Sequence, residues 1–252
     1  IFGGSENMLI NFLTSQSIVQ AYDVKLFFNY SPIYQAELMR RLGDVQLEAA
    51  ISPLKLYSFF PRWVKARNSF WRKLGILLES IIFRYPVFAS NVIYLYCVFK
   101  RQKIDLLHIN NGGYPAARTC QAAVLAAGLC GIKNIVYVVN NIAVNYWNPN
   151  RWLDWPIDQV IKKRVMYFIT GSCYAKNCLA TVLALPETRF KVFPNGISIR
   201  EIKQGKEAFL SSLQLSMTYS AIAGVVAHLD ERKGHIYLLK AMAKLRSEGR
   251  KM

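Results

Sequence analysis

Lys233 is the side chain whose type and position promise the most chemistry. It stands in the polar turn Asp230-Glu-Arg-Lys-Gly234, after the apolar run Ala223-Gly-Val-Val-Ala227 and before an amphipathic segment at 235–247. A strand over 220–229 and a helix over 235–247 would put this ammonium, with Arg232 beside it, at a helix N-terminus. Free backbone N–H groups and the helix dipole favour an anion there, so the expected ligand group is a phosphate. The turn is shorter than a Walker loop and lacks its glycine spacing. A lysine without that role would be solvated.

A second group of candidates consists of neutral hydrogen-bonding residues at the ends of apolar runs. The run 104–109 contains His108 and leads into Asn110-Asn-Gly-Gly-Tyr-Pro115, and the run 134–139 leads into Asn140 and Asn141. Ligands of open parallel sheets bind beyond the carboxyl ends of the strands. Asn110, Asn111, Gly112 and Gly113 therefore read as a surface for a hydroxyl-rich ligand, and equally as turn residues. His108 fits a catalytic role or a satisfied core position. At the start of the chain, Gly3 and Gly4 allow a ligand to approach the backbone at a helix start, and they also fit an ordinary βα turn. The three histidines show no metal-ligand spacing, so no metal is expected, and there is no GxSxG elbow.

These residues need a frame to hold them. Apolar residues at Met8, Leu9, Phe12 and Leu13 have helical spacing with Ser5 as N-cap, and residues 23–28 read as a strand. Helical pieces follow at 33–42 and 71–83, the second set apart from later apolar residues by Arg84 and Pro86. From residue 104, strands at 104–109, 134–139, 166–170 and 190–193 alternate with helices at 116–130, 155–165 and 173–183. Alternation of this kind predicts an α/β fold with a Rossmann-like, doubly wound parallel sheet over residues 1–197. Residues 198–219 read as an interdomain linker, and 220–252 as the start of a second Rossmann-like domain. The expectation is a chain that stops about one helix into that domain.

Bulk properties set the partners. With 252 residues, 53% of them hydrophobic and 19% charged, the chain can bury a large core and is not disordered. Its 32 Lys and Arg against 15 Asp and Glu give a net charge of +17, which favours acidic partners. No RNA- or DNA-binding motif accompanies the charge, so nucleic acid is not the expected partner. The basic aromatic stretch 59–73 (Phe59, Arg62, Trp63, Lys65, Arg67 and Trp71 among it) instead suits an anionic membrane surface. The apolar stretch 74–99 is interrupted by Glu79, Arg84 and Pro86 and reads as helices of a soluble fold rather than a span. Five scattered cysteines read as packing residues in a reducing compartment. The expected location is cytoplasmic, peripheral on the inner face of the cell membrane.

Four segments in this order resemble the family-four retaining glycosyltransferases of the GT-B fold: Gly3-Gly-Ser-Glu6, Asp105-Leu-Leu-His108 with its Asn-Asn-Gly-Gly-Tyr-Pro turn, Phe193-Pro-Asn-Gly-Ile197, and Gly224-Val-Val-Ala-His-Leu-Asp-Glu-Arg-Lys-Gly-His235. The resemblance implies transfer of a sugar from a nucleotide-diphosphate donor to a glycan or lipid-linked acceptor, with no cofactor and no metal. It implies that Lys233, Gly3 and Gly4 meet the donor diphosphate. His228 stands where the family usually has an arginine, and Arg232 could substitute for it. Asn140 or Asn141 falls where some members place a histidine that contacts the sugar or assists catalysis, and an asparagine cannot act as a base. The family's paired glutamates would lie beyond Met252, which makes the fragment inactive alone. A noncatalytic ligand-binding module on the same fold is the alternative, and a nucleic-acid-binding protein a more distant one.

Overall fold

Short apolar runs alternating with helices produce parallel strand pairing throughout the described residues. The computed structural model describes residues 4–42, 51–57, 69–196, 204–214, 224–227, 229 and 231–249. The chain is α/β, with every sheet parallel, and divides into two units, Ile1–Gly196 and Ile197–Met252.

The first unit begins with helices α1 (Gly4–Leu13) and α2 (Gln16–Ala21), strand β1 (Leu26–Asn29), helix α3 (Pro32–Leu42) and strand β2 (Ile51–Leu54). Helix α4 (Ser69–Lys100) follows, then β3 (Leu106–Asn111), α5 (Arg118–Leu129) and β4 (Asn134–Val139). A 3-10 turn (Pro149–Asp154) leads into α6 (Trp155–Arg164), β5 (Tyr167–Thr170), α7 (Cys173–Leu183) and β6 (Phe190–Val192). The strands form two sheets, a pair β1-β2 and a four-stranded sheet in the order β3-β4-β5-β6. The order follows the chain, so the reversal that defines a doubly wound sheet is not seen among the described strands.

Register explains the core. Tyr137 of β4 lies beside Phe168 of β5, and Phe168 beside Phe190 of β6. Their rings meet at 5.9 and 5.6 Å between centroids, a spacing that adds aromatic contact to burial. Ala122, Ala126 and Ala127 are fully buried on α5, and their small side chains let α4 and α6 pack closely on it. A separate cluster of Leu13, Phe28, Leu38 and Leu42 joins α1, β1 and α3.

Four expectations change. Helix α4 is a single helix of 32 residues that runs through Pro86 instead of stopping before it. A proline inside a helix removes one backbone bond and costs about 3 kcal/mol. Here the turn is held from outside, because Arg84 Nη1 donates to Asn150 O at 2.9 Å and Tyr85 Oη to Leu153 O at 2.5 Å. Asn110 and Asn111 end strand β3 rather than forming a turn, since Asn111 still pairs with Val139. Ser5 lies inside α1 and bonds the neighbouring Glu6 carboxylate, so it is not the N-cap. All five cysteines are free thiols, but Cys97 and Cys173 are exposed and do not pack a core.

The second unit contains α8 (Lys206–Ser212), a 3-10 turn (Glu231–Lys233) and α9 (His235–Ser247). Residues 224–227 are exposed and form no strand; the rest of the strand expected over 220–229 lies largely outside the described residues.

Candidate functional site

The carboxyl ends of β3 and β4 are tied together by asparagines. Asn140 donates from Nδ2 to Asn110 Oδ1 at 2.6 Å and to Asn111 O at 3.0 Å. Asn110 Nδ2 reaches back to Ser5 O of α1 at 3.3 Å. Asn111 is 2% exposed, donating to Tyr137 Oη at 2.8 Å and accepting from Ala117 N at 3.2 Å. These three side chains therefore spend most of their hydrogen-bonding capacity on the frame. Asn141 is exposed and accepts only from the next residue, Ile142 N, at 2.8 Å. Its Nδ2 remains available to a ligand.

Beside this latch opens a cavity of about 690 Å³, a volume that accommodates a sugar-sized ligand. Gly112, Gly113 and Asn141 form its wall at the strand ends, and Ala117, Arg118 and Thr119 bring the first turn of α5. Asn29 of β1 and Asn91, Arg84 and Phe88 of α4 complete it from the other side. Asn91 is fixed by a reciprocal pair of bonds with Tyr57, 2.8 Å from Tyr57 N to Oδ1 and 2.9 Å from Nδ2 to Tyr57 O. That pair holds the segment after β2 against α4. Polar amides and two arginines set in an apolar wall suit a ligand with hydroxyls and negative charge.

Behind the cavity lies a buried ionic cluster. Asp158 is 1% exposed and accepts four bonds: from Tyr114 Oη and Tyr146 Oη at 2.6 Å each, from Gln121 Nε2 at 3.3 Å and from Arg151 Nη2 at 2.7 Å. Arg151 also bonds Asp154 Oδ2 at 3.0 Å and lies 4.9 Å over the Tyr146 ring. Burial works against the Arg151 charge, and Asp158 and Asp154 more than offset it, so its pKa is raised. Burial and then Asp158 raise the Tyr114 phenol well above its ordinary value, which keeps it a neutral donor. The cluster fixes the loop after β4, including Val144, whose carbonyl accepts from Arg151 Nε at 3.1 Å.

Arg84, Arg118, Asp154 and Asp158 were not among the sequence-based candidates. A signal for part of the cluster exists: Arg151, Asp154 and Asp158 are spaced three and four apart, one face of a helical turn. Arg84 sits in an apolar helical run, which reads as an interruption until α5 and α6 are packed beside it.

The other candidates lie elsewhere. His108 is in the middle of β3, its ring stacked on Phe12 at 4.8 Å and 3°. Burial lowers its pKa, so a neutral imidazole is favoured. That position is within the sheet and not at the cavity, whose lining does not include it. Gly4 is the first residue of α1 and exposed; Gly3 lies outside the described residues. Lys233 is exposed and ends the 3-10 turn before Gly234, whose φ of 71° places it in the left-handed region and lets α9 start directly. His228 and the Arg232 side chain lie outside the described residues, as do residues 59–68 of the basic aromatic stretch. At the end of that stretch, Phe70 is 66% and Trp71 54% exposed. The exposed Leu78, Ile81, Ile82 and Tyr85 continue along α4. By length and composition the segment Ile81–Lys100 could cross a membrane, at a mean hydropathy of 1.4. Its other stripe, Phe88, Leu95 and Phe99, is buried in the protein core.

Among the described residues no cluster of three or more His, Cys, Asp or Glu could hold a metal ion. No protein-family model, curated protein or solved structure matches this chain.

Proposed function

We propose that the protein is a retaining glycosyltransferase on a GT-B-type framework. In this reading the unit Ile1–Gly196 binds a glycan or lipid-linked acceptor, and the Lys233 turn meets the diphosphate of a nucleotide sugar. The observation that carries it is the sugar-sized cavity at the carboxyl ends of β3 and β4, lined by Asn29, Asn91, Asn141 and the Gly112–Gly113 backbone. Asn141 rather than Asn140 is the asparagine with a free donor, so Asn141 is assigned the contact with the ligand. His108 is assigned to the frame. Lys233 offsets the charge that develops on the leaving diphosphate, aided by the N-terminus of α9.

The test is turnover of UDP- and GDP-sugars by the full-length protein. Lys233→Ala should lower it by about two orders of magnitude, near 2.7 kcal/mol, with the fold intact. Wild-type turnover in that variant would remove the donor role from the turn. A noncatalytic binding module on the same fold is the second reading, favoured by the engagement of Asn140 in the frame. It is selected if the full-length protein binds a nucleotide sugar and neither hydrolyses nor transfers it.

The location proposed is peripheral, on the inner face of the cell membrane. The support is the exposed apolar face of α4, starting at Phe70 and Trp71 with Arg72 beside them and the basic stretch just before.

A further inference from the structure

Charge is distributed unevenly around the cavity. Five charged groups meet behind and beside it: Arg84, Arg118 and Arg151 against Asp154 and Asp158. The excess is one positive charge. Asp158 is spent on Arg151, two tyrosines and Gln121. Asp154 is shared by three guanidiniums. Its Oδ2 bonds Arg151, while Oδ1 accepts no hydrogen bond and is 3.3 Å from Arg84 Nη1 and 3.6 Å from Arg118 Nε. Neither aspartate lines the cavity, and both arginines, 84 and 118, do.

Arg84 is 6% exposed, yet its Nε has no hydrogen-bond partner. Burial lowers its pKa, Asp154 opposes the shift, and Arg118 adds to it. That Nε is itself closed to solvent, so Arg84 offers the cavity it lines an enclosed positive charge rather than this N–H. At the adjoining end of α5, Cys120 N donates to the Ala117 carbonyl at 3.0 Å, and the helix N–H groups before it have no side-chain cap. The N-cap is Ala117, which has no side chain to cap the first-turn N–H groups. Arg118 opens that turn with a side chain 41% exposed. Arg84 comes from α4, and Arg118 with the helix start from α5, two elements that bring positive charge and backbone donors to one cavity and suit a phosphate.

We propose that this cavity is a phosphate-binding site, with Arg84, Arg118 and the N-terminus of α5 holding the phosphate of its ligand. Naming that ligand as the acceptor rests on the glycosyltransferase reading; the phosphate site itself does not. The phosphate can arrive free, on a soluble metabolite, or on a lipid. Ile142 and Val144, both exposed and both on the cavity wall, would meet the apolar part of a lipid phosphate.

Calorimetric titration of the full chain with methyl phosphate tests the site. Saturable binding is expected, weakened at least tenfold in Arg118→Gln and changed less than twofold in Lys163→Gln, an exposed lysine at the far end of α6. Arg118 is half-exposed, so its variant should fold; Arg84→Lys, checked by its melting curve, is the second variant and should weaken binding as well. A second titration with dihexanoyl phosphatidic acid separates the sources. Affinity at least tenfold above methyl phosphate assigns a lipid phosphate, and equal affinity assigns a soluble one. No binding of either probe, or binding indifferent to Arg118→Gln, overturns the proposal. Sugar transfer that continues without phosphate binding refutes this inference alone. Phosphate binding without any nucleotide-sugar turnover leaves the site standing and refutes the glycosyltransferase reading.

Discussion

Replacing Asp158 by asparagine removes one buried charge and almost no volume. In the native protein the carboxylate accepts from Tyr114, Gln121, Tyr146 and Arg151. In Asp158→Asn one oxygen can stay on Arg151 and Tyr146, which face the same carboxylate atom. The new amide then faces Tyr114, whose hydroxyl can rotate to accept, and Gln121, whose Oε1 now has no partner and could turn to meet it. The geometry therefore survives, and the loss is mainly the charge on the Arg151 bond. A hydrogen bond to a charged group contributes about 1.5–3 kcal/mol, and breaking a buried ion pair costs about 3–5 kcal/mol. Asp154 keeps Arg151 partly compensated through its 3.0 Å bond, which places the expected loss near the lower bound, about 3 kcal/mol.

For a chain of this size about 1 kcal/mol shifts the melting temperature by 2–4 °C, so Asp158→Asn should melt about 6–12 °C lower. Differential scanning calorimetry with a denaturant titration reads this directly. The pair Asp158→Leu and Arg151→Met completes the argument. Each alone should cost at least as much as the asparagine, and together they should cost less than their sum by at least about 2 kcal/mol, because neither charge is then left alone. A melting shift under about 2 °C for Asp158→Asn, or an additive double variant, would refute the view that this cluster holds the cavity's outer loop.

His108 has its pKa lowered from the ordinary 6.5 by burial, so the unfolded chain takes up a proton in a range where the folded one does not. That contribution to stability is fully present above about pH 6.5 and is lost as pH falls through the lowered value; His108→Phe should flatten this part of a melting profile between pH 5 and 8, and an unchanged slope counts against it. For the membrane surface, flotation with anionic vesicles should retain the protein, with about 1 kcal/mol from each of Arg62, Lys65, Arg67 and Lys73. Changing the four to Gln should release it, and equal binding to neutral vesicles would exclude the electrostatic part.

Local signals made some elements legible and hid others. Strand β4 and helix α7 coincide with their sequence limits, because β-rich residues between turn signals define the first and the Ser172 cap, bonded to Ala175 N at 3.2 Å, starts the second. In the sequence, Arg84 and Pro86 both read as interruptions, although α4 runs through them. What tolerates them is tertiary: the carbonyls of Asn150 and Leu153, 66 and 68 residues away, receive bonds from Arg84 and Tyr85. The candidate site shows the same division. The strand-end rule points to Gly112, Gly113 and Asn141 from parallel topology alone, and these three line the cavity. The same rule could not tell Asn141 from Asn110, Asn111 and Asn140, because which amides are consumed depends on bonds between strands.

A net charge of +17 draws attention to the surface, yet the charges that define a site here are few and enclosed. Among the described residues the buried charged side chains are Arg84, Arg151, Asp154 and Asp158, two of each sign. A core cannot carry an uncompensated charge without losing stability, so that balance is what folding requires. The unbalanced charge is Arg118, placed at the boundary where the cavity meets solvent. There it costs little in the empty protein and gains most when an anion displaces water around it. Surface lysines and arginines attract many polyanions and are screened by salt over about 8 Å. Arg84 is enclosed, and it sets one positive charge on the cavity wall where salt screens it least. Encounter is then governed by the general charge, and selection by one buried guanidinium and its half-exposed neighbour.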